Sequence, residues 1–280
     1  YALRVSRGAG DHAGPLKAEL QYLRDLRAET GLEVPSPVPT RTGELMCHLQ
    51  TGPEAQVAVL FNWVPGVHVD ARDLTLEQMR RMARTTALMH RFARGYRTTP
   101  DFPRPVYGAD WFFGPTCWSA SPAFLDRLDP ESRAVMQEFN VAVAGRLDAL
   151  ARDENTFGLI HYDLHTGNFL FTEKAAHAID FDELGFGYYL FDLAHLLFEF
   201  VERPDYPAFR QAALEAYRVA GGPATAGPDE LELFLSLQVV AYFNWLNRVL
   251  VRDGNSGAMD YWVPRLLQRI ATIRGRQSMV

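Results

Sequence analysis

The strongest constraint on this chain is one passage in which short apolar runs end in polar loops. Leu159 to Phe171 reads LIHYDLHTGNFLF, and Ala178 to Asp182 reads AIDFD. Short apolar runs bounded by turn residues are typical of buried strands. The passage therefore predicts a strand, a polar loop and a hairpin whose returning strand ends at Asp180. Because these strands end at the same place, we expect the side chains of Asp163, Asn168 and Asp180 to lie close together there.

These three side chains suit the transfer of a phosphoryl group. That reaction needs a carboxylate to orient an attacking hydroxyl, and oxygen ligands to hold magnesium on the phosphates. The alternative is an ordinary turn, since Asp and Asn are common loop residues. An ordinary turn leaves the joint spacing of Asp163, Asn168 and Asp180 unexplained, so we favour a phosphotransferase site.

The same residues carry a resemblance to a known family. The pattern H-x-D-x-x-x-x-N from His161 to Asn168, with Asp180 17 residues after Asp163, resembles the catalytic and metal-binding loops of the aminoglycoside phosphotransferase superfamily. This superfamily includes choline, homoserine and stress-response kinases. The resemblance implies ATP and Mg²⁺ as cofactors, Asp163 as the catalytic base, Asn168 and Asp180 as magnesium ligands, and His161 as a residue that braces the loop.

Three further residues have supporting positions by the same resemblance. Asp192, in the run LFDLA, matches a buried acid that accepts hydrogen bonds from the catalytic loop. Its alternative is a carboxylate at the start of a helix. Asp182 is expected near the metal or the acceptor, and the role of His165 stays open.

The first 62 residues resemble the nucleotide-binding part of the same fold. Arg4 stands where kinases place a strand lysine that contacts the α- and β-phosphates, and Glu19 stands where the next helix supplies its ion-pair partner. The guanidinium of arginine is planar and forked, whereas the ammonium of lysine is a compact point charge, so the two do not bind phosphate in the same way. The alternative is that Arg4 and Glu19 are surface charges. The expected hinge, whose backbone pairs with adenine, comprises Phe61, Asn62, Trp63 and Val64. Trp63 is equally readable as a packing residue.

The order of patterns predicts an α+β, protein-kinase-like fold with two lobes. Strand patterns at 1–6, 44–49 and 56–61 and a helix from Pro15 to about Thr30 place a small N-lobe at residues 1–62. A Pro-Gly hinge follows at 63–67, and helical periodicity dominates a C-lobe at 68–280. Kinases cover the phosphates with a hairpin before the lysine strand, so we expect an N-lobe that is truncated at its N-terminus.

Composition excludes several classes of protein. The net charge is -6 and the pI about 5.8, with no basic stripe, which argues against nucleic-acid binding. The most apolar stretch, 231–251, contains Glu, Gln, Asn and Arg, so it reads as a core helix and not a membrane span. Cys47 and Cys117 form no disulfide framework or zinc spacing. We expect both thiols to be buried and the protein to be cytoplasmic.

The acceptor is less constrained than the reaction. We expect a small-molecule hydroxyl, on an amino alcohol, an amino acid or an aminoglycoside-like compound, in a closed C-lobe pocket. The alternatives are a protein Ser/Thr kinase of the stress-response type and a nucleotide-binding pseudokinase. Four acids are candidates for an acidic patch: Asp182, Glu183, Glu199 and Glu202. An aromatic cluster either lines the pocket or, as we favour, anchors a loop: Tyr107, Trp111, Phe112, Phe113 and Trp118.

Overall fold

A small antiparallel sheet with one helix precedes a mostly helical remainder. The structure is a computed structural model that describes residues 1–7, 13–49, 56–99, 102–224 and 227–277. Strands β1 (Ala2–Arg7), β2 (Cys47–Leu49) and β3 (Gln56–Phe61) form the sheet in the order β1-β3-β2. Arg4 lies opposite Val59 in this register. Helix α1 (Ala13–Thr30) buries Leu20, Leu23 and Leu26, because residues three apart share one face of a helix.

The chain leaves this sheet through an extended connector that is fixed to residues 161–182, a hairpin with a polar loop at each end. We call this segment the catalytic hairpin, after the resemblance described above. Val67 and Phe171 exchange two backbone hydrogen bonds, of 3.0 and 2.8 Å. Gly66 has a φ of 129°, and a Cβ there would lie 3.0 Å from Leu170. Only glycine takes up that conformation without strain. The end of the connector is therefore held in a fixed position against the hairpin.

Helices make up most of the chain after the connector. They are α2 (Leu76–Gly95), α3 (Ala109–Phe113), α4 (Pro122–Leu125), α5 (Pro130–Asp148), α6 (Tyr189–Phe198), α7 (Tyr206–Val219), α8 (Pro228–Asp253) and α9 (Gly257–Gln277). Helix α2 begins with the capping box Thr75–Gln78, and Asp129 caps α5. All 10 residues of α6 are buried, since α2, α7 and α8 pack around it.

Two short antiparallel sheets of two strands each come before α6 and position the polar loops. Strand β4 (Phe157–Ile160) pairs with β7 (Gly185–Tyr188), and β5 (Phe169–Phe171) pairs with β6 (Ala176–Ala178). The polar loops follow β4 and β6. The β5–β6 pair is the hairpin predicted from the sequence.

Some local predictions were wrong. The second strand covers Cys47–Leu49 and not 44–49, because the preceding residues turn at Gly43, where φ is 88°. Cys117 is buried as expected, but Cys47 is exposed, since it lies on the edge strand of the sheet. The first helix begins at Ala13, two residues before the predicted start. The turn predicted at 51–53 lies outside the described residues.

Within the described ranges, every helix is too short or too polar to cross a bilayer.

Candidate active site

The polar loops bring Asp163 and Asn168 into direct contact. The Nδ2 of Asn168 donates to the backbone oxygen of Asp163 at 2.8 Å and to its Oδ2 at 2.9 Å. The N–H of Ile179 donates to the backbone oxygen of Asn168 at 3.0 Å, which joins the loop of Asp180 to the loop of Asp163. Asp163 and Asp180 line the same cavity. The structure thus places the three residues singled out in the sequence at one site.

The backbone is strained next to both acids. Tyr162 has a φ of 73° and Asp180 a φ of 64°, and no other residue except glycine has a positive φ in the part of the chain that the structure describes. Such conformations cost on the order of 1–3 kcal/mol and persist where the surroundings impose them. Backbone strain at these two positions indicates that the conformation of the loops serves a function and not stability.

Aromatic packing and hydrogen bonds hold Tyr162 in its strained conformation. Its ring stacks between Tyr107, at 3.7 Å between centroids, and Phe191, at 4.9 Å. The indole N–H of Trp111 donates to its hydroxyl at 3.0 Å. Asp163 follows Tyr162 directly, so this packing fixes where the Asp163 carboxylate points.

Asp192 is a fully buried carboxylate under the same loop. It accepts the backbone N–H of His161 and that of Tyr162, each at 2.9 Å, and it lies 3.0 Å from Nε2 of His90. His90 also contacts the hydroxyl of Tyr217 at 2.8 Å. Hydrogen bonds to a carboxylate compensate its loss of hydration. Asp192 therefore anchors the loop to α6 and α2.

His161 links the two polar loops to each other. Its Nε2 lies 2.9 Å from the backbone oxygen of Ile179, and its Nδ1 accepts the N–H of Asp163 at 3.3 Å. The first contact requires a proton on Nε2, because a carbonyl only accepts. Burial lowers the pKa of His161, so the ring is neutral and fits both contacts.

Three histidines surround the Asp163 carboxylate. Burial raises its pKa, but the contact with His165 outweighs burial and holds the pKa of Asp163 well below its usual range. His165 Nε2 lies 3.6 Å from Oδ2, and His195 Nε2 lies 4.0 Å from Oδ1. The contact with Asp163 raises the pKa of His165. Asp163 is therefore ionised at neutral pH.

Asp182 lies next to these groups at the open side of the loop. Incomplete hydration of its carboxylate, together with the charges of Asp180 and Glu183, raises its pKa to about 6. The loop that carries it is held by Arg104, whose guanidinium donates to the backbone oxygens of Asp182 and Leu184.

A first cavity, of about 480 Å³, lies between the small sheet and the catalytic hairpin. Arg4 and Glu19 line it and form an ion pair with 2.8 Å between Nη2 and Oε1. The Arg4 guanidinium also lies 5.1 Å from the centre of the Phe61 ring. Glu19 is buried, which raises its pKa even though Arg4 opposes this. The pair is thus part of the cavity wall, and the alternative that both are surface charges is wrong.

The predicted hinge residues form another wall of this first cavity. Asn62 is bound to Ser36, since its N–H donates to the Ser36 oxygen at 3.0 Å and its Oδ1 accepts the Ser36 N–H at 2.5 Å. The N–H groups of Trp63 and Val64 have no acceptor among the described residues. Trp63 is 67% exposed and lines the cavity, so it is not a core packing residue.

A second cavity, of about 420 Å³, opens on the other side of Asp180. Asp163, Asp180, Asp182 and Glu183 give it an acidic side, and Arg248 is a cation in its lining. Its aromatic lining comprises Tyr162, Phe191, Tyr242, Trp245 and Trp262. Asp180 lines both cavities. A molecule in each cavity would therefore meet the other beside this carboxylate.

Two groups of residues that we considered for an acceptor pocket lie elsewhere. Glu199 accepts the N–H of Thr166 at 3.0 Å and Glu202 pairs with Arg269 at 3.4 Å, so neither joins the acidic side of the second cavity. Tyr107 and Phe112 of the aromatic cluster pack against Tyr162, Trp118 packs against Phe124 and Phe243, and no member of the cluster lines that cavity. Tyr107, Phe112 and Trp118 are buried in the core, which agrees with the favoured interpretation that the cluster anchors the long loop that carries it.

Several residues of the second cavity were missed in the sequence. His195 lies three residues after Asp192, and positions i and i+3 share one helix face. Its position close to the loop could therefore have been predicted. On α8 the lining residues follow the same spacing: Gln238, Ala241, Tyr242, Trp245 and Arg248. The signal was a polar edge on an apolar helix, but what that edge faces depends on long-range packing and cannot be predicted from the residues of α8 alone.

The oxygen atoms at this site suit a cation that is also held by phosphates. Because Asn168 donates through Nδ2 to Asp163, its Oδ1 is left to act as a ligand beside Asp180. Over the described residues, no three His, Cys, Asp or Glu side chains converge as a self-sufficient metal site. Mg²⁺ is usually held by one or two protein oxygens together with substrate phosphates and water, so the residues present fit it.

Comparison with known proteins gives a family for most of the chain. The sequence model of the phosphotransferase enzyme family matches residues 1–234. Amicoumacin kinase of Bacillus subtilis (strain 168) is 24% identical over 215 residues, which are 76% of this chain and 61% of that protein. An uncharacterized protein of Synechocystis sp. is 26% identical over 198 residues, or 70% of this chain and 53% of that protein. The chain thus spans between half and two thirds of the length of these curated relatives.

Solved structures share the fold. An amicoumacin kinase in complex with AMP-PNP, Ca²⁺ and Ami has a TM-score of 0.74, covering 96% of this chain and 80% of that chain at 19% identity. A microcompartment-associated aminopropanol kinase has a TM-score of 0.75, with 97% and 82% covered at 21% identity. A spectinomycin phosphotransferase in complex with ADP and spectinomycin has a TM-score of 0.67, with 97% and 86% covered at 16% identity. The α+β, protein-kinase-like fold predicted from the sequence is confirmed.

Proposed function

Because the chain belongs to the phosphotransferase enzyme family, we propose that it transfers the γ-phosphoryl group of ATP to a hydroxyl of a small molecule. The observation that carries this proposal is the position of Asp180 between two cavities, with Asp163 facing only the second. Phosphoryl transfer needs a donor and an acceptor in line, with stabilising charges at the point where they meet. The two cavities supply that arrangement.

ATP occupies the first cavity in this proposal. The N–H groups of Trp63 and Val64 pair with the base, and Arg4, held by Glu19, contacts the phosphates. Residues 1–62 and 68–280 then act as two lobes with the hinge at 63–67. The support from known proteins is that the amicoumacin kinase structure holds AMP-PNP and Ca²⁺ and the spectinomycin phosphotransferase structure holds ADP. Because the proposed donor is ATP, we propose that the reaction takes place in the cytoplasm.

Mg²⁺ is the metal that we assign to the site. Asn168 Oδ1 and the Asp180 carboxylate would hold it, and it would neutralise charge on the phosphates during transfer. The strained backbone of Asp180 sets the direction of one ligand, and the hydrogen bond from Asn168 to Asp163 sets the other.

Asp163 orients the hydroxyl and accepts its proton. The low pKa of its carboxyl makes Asp163 a weak base, which is adequate because the transition state of phosphoryl transfer is loose and the proton moves late. Its main contribution is position: it receives the O–H and directs the oxygen at the γ-phosphate. His161, Asp192 and the ring stack at Tyr162 hold that position. His165 braces the carboxylate from the side of Oδ2.

The acceptor is a small alcohol that carries an amine. The second cavity combines carboxylates with exposed aromatic faces, and both attract an ammonium group. The relatives are named as kinases of amicoumacin and aminopropanol and as a phosphotransferase of spectinomycin. These names support a small-molecule acceptor over a protein acceptor, and the intact Asp163, Asn168 and Asp180 argue against a nucleotide-binding pseudokinase.

A screen with ³¹P NMR tests this function. The chain is incubated with MgATP and, separately, with amino alcohols, amino acids, aminoglycosides and a generic Ser/Thr-rich protein. We expect a new phosphomonoester resonance with at least one amine-bearing small molecule, in amounts equal to the ADP formed. Phosphorylation of the protein alone, or binding of ATP without any transfer, would contradict the proposal.

A further inference from the structure

His195 is a buried histidine whose ring lines the second cavity beside Asp163. Its Nδ1 lies 3.0 Å from the backbone oxygen of Tyr162, and its Nε2 lies 4.0 Å from Asp163 Oδ1. The side chain is only 7% exposed. Its Nε2 is buried and has no hydrogen-bond partner among the described residues. Buried polar atoms are nearly always paired, so an unpaired one in a cavity wall indicates a group that a ligand supplies.

The contact at Nδ1 fixes the tautomer of the ring. A backbone carbonyl oxygen can only accept a hydrogen bond, so Nδ1 carries the hydrogen that it donates to Tyr162. Burial lowers the pKa of His195, which agrees with a neutral ring. In this tautomer Nε2 presents a lone pair and has no hydrogen to give.

Asp163 Oδ1 and His195 Nε2 are therefore two acceptors that face each other. Their separation of 4.0 Å is too long for a direct hydrogen bond. A molecule that satisfies both must offer two hydrogens, one to each atom. A lone alcohol has a single O–H, whereas a 1,2-amino alcohol has an O–H and, on the neighbouring carbon, an ammonium with several N–H donors.

We propose that His195 determines specificity by accepting a hydrogen bond from an N–H next to the hydroxyl that is phosphorylated. This inference rests on the proposed function, since it takes the hydroxyl to lie against Asp163 Oδ1. The substrate class is a 1,2-amino alcohol with a primary or secondary amine. A quaternary ammonium has the same charge but no N–H, and it leaves the His195 lone pair unpaired.

Charge alone does not make this distinction, because Asp182 and Glu183 attract any cation in the cavity. The test therefore compares two acceptors of equal charge, 1-amino-2-propanol and its N,N,N-trimethyl counterpart. The variants are His195→Leu, which removes the lone pair, and His195→Gln, whose Oε1 restores an acceptor. His177→Gln is the matched control, since His177 lies on β6 and lines neither cavity.

We expect His195→Leu to raise KM for 1-amino-2-propanol about tenfold to a hundredfold, the effect of losing a hydrogen bond from a charged donor. We expect a small change in kcat, recovery of most of the affinity in His195→Gln, and no difference between variants for the trimethyl compound. Equal losses for the two acceptors would assign His195 a structural role and overturn the proposal.

A second measurement reads the histidine directly. In the full chain labelled with ¹⁵N-histidine and loaded with AMP-PNP and Mg²⁺, we expect His195 as the Nδ1–H tautomer, with a free Nε2 whose resonance moves on addition of 1-amino-2-propanol and not of the trimethyl compound. A proton on Nε2 in the free protein, or no response to the amine, overturns the inference. ADP release with other acceptors reports on the proposed function separately, so the two fail independently.

Discussion

At the scale of single residues, one buried carboxylate organises the loop that carries Asp163. Asp192 is completely buried and receives the N–H groups of His161 and Tyr162 as well as the contact with His90. These hydrogen bonds hold Tyr162 in a conformation that it would not adopt alone. The loop is thus maintained by interactions made beneath it and not by its own sequence.

Replacement of Asp192 by Asn should be strongly destabilising. The amide loses the charge and turns a donor toward groups that need an acceptor, so we expect a loss of about 3–5 kcal/mol in the free energy of unfolding. Urea denaturation measures it. Asp148→Asn, at an exposed position of α5, is the control and should change stability by less than about 0.5 kcal/mol. A loss for Asp192→Asn as small as that of the control would show that the network contributes little.

The sequence predicted the residues of this site unevenly, for a physical reason. Asp163 and Asn168 come just before β5, and Asp180 comes just after β6, so the pairing of these two strands brings the three residues together and their spacing alone indicates that they meet. His195 and Arg248 reach the second cavity from α6 and α8, and their positions depend on how helices pack over a long range. Cys47 was misjudged because apolar neighbours indicate burial only when the strand is not at a sheet edge.

At the scale of elements, the connector between β3 and α2 sets the position of the sheet against the catalytic hairpin. Helix caps depend on local sequence, because capping residues act within a few positions of each other, as at Thr75 and Asp129. The length of the second strand was predicted wrongly, since a glycine turn that shortens it leaves no trace in the apolar pattern. The docking of Val67 on Phe171 is a tertiary contact that no local pattern encodes.

A pair of glycine substitutions tests the role of the connector. Gly66→Ala should lower the free energy of unfolding by about 1–3 kcal/mol, because its φ of 129° is unfavourable for alanine and the new Cβ meets Leu170 at 3.0 Å. Gly145→Ala, in α5 with no atom near its Cβ position, should stabilise by about 0.5–1 kcal/mol. Equal effects of the two substitutions in thermal unfolding would contradict the structural role of Gly66.

At the scale of the whole molecule, the two cavities depend on surfaces contributed by distant parts of the chain. The first joins β1, α1, the hinge and the catalytic hairpin, and the second joins the same hairpin to α6, α8 and α9. The two-lobed fold was predictable from the change of periodicity near residue 66. The shape and charge of the second cavity were not, because they arise from the packing of α8 and α9 against loops that lie far from them in the sequence.

Nucleotide and metal should stabilise the molecule together. A ligand that binds only the folded state stabilises it by about 2.7 kcal/mol at a hundred times its Kd. We therefore expect AMP-PNP with Mg²⁺ to raise the Tm by several degrees, and EDTA to remove most of that shift, because the phosphates then lose the cation held by Asn168 and Asp180. An identical shift with and without the metal would contradict the assignment of these two ligands.

The most direct measurement concerns Asp163 itself. Asp163→Asn preserves the size of the side chain, and Glu173→Gln, at an exposed position on the turn between β5 and β6, is the matched control. With an acceptor found by the screen, we expect Asp163→Asn to lower kcat by about a thousandfold or more, with the affinity for AMP-PNP unchanged, and Glu173→Gln to behave like the unmodified chain. Turnover by Asp163→Asn within tenfold of the control would contradict phosphoryl transfer at this site.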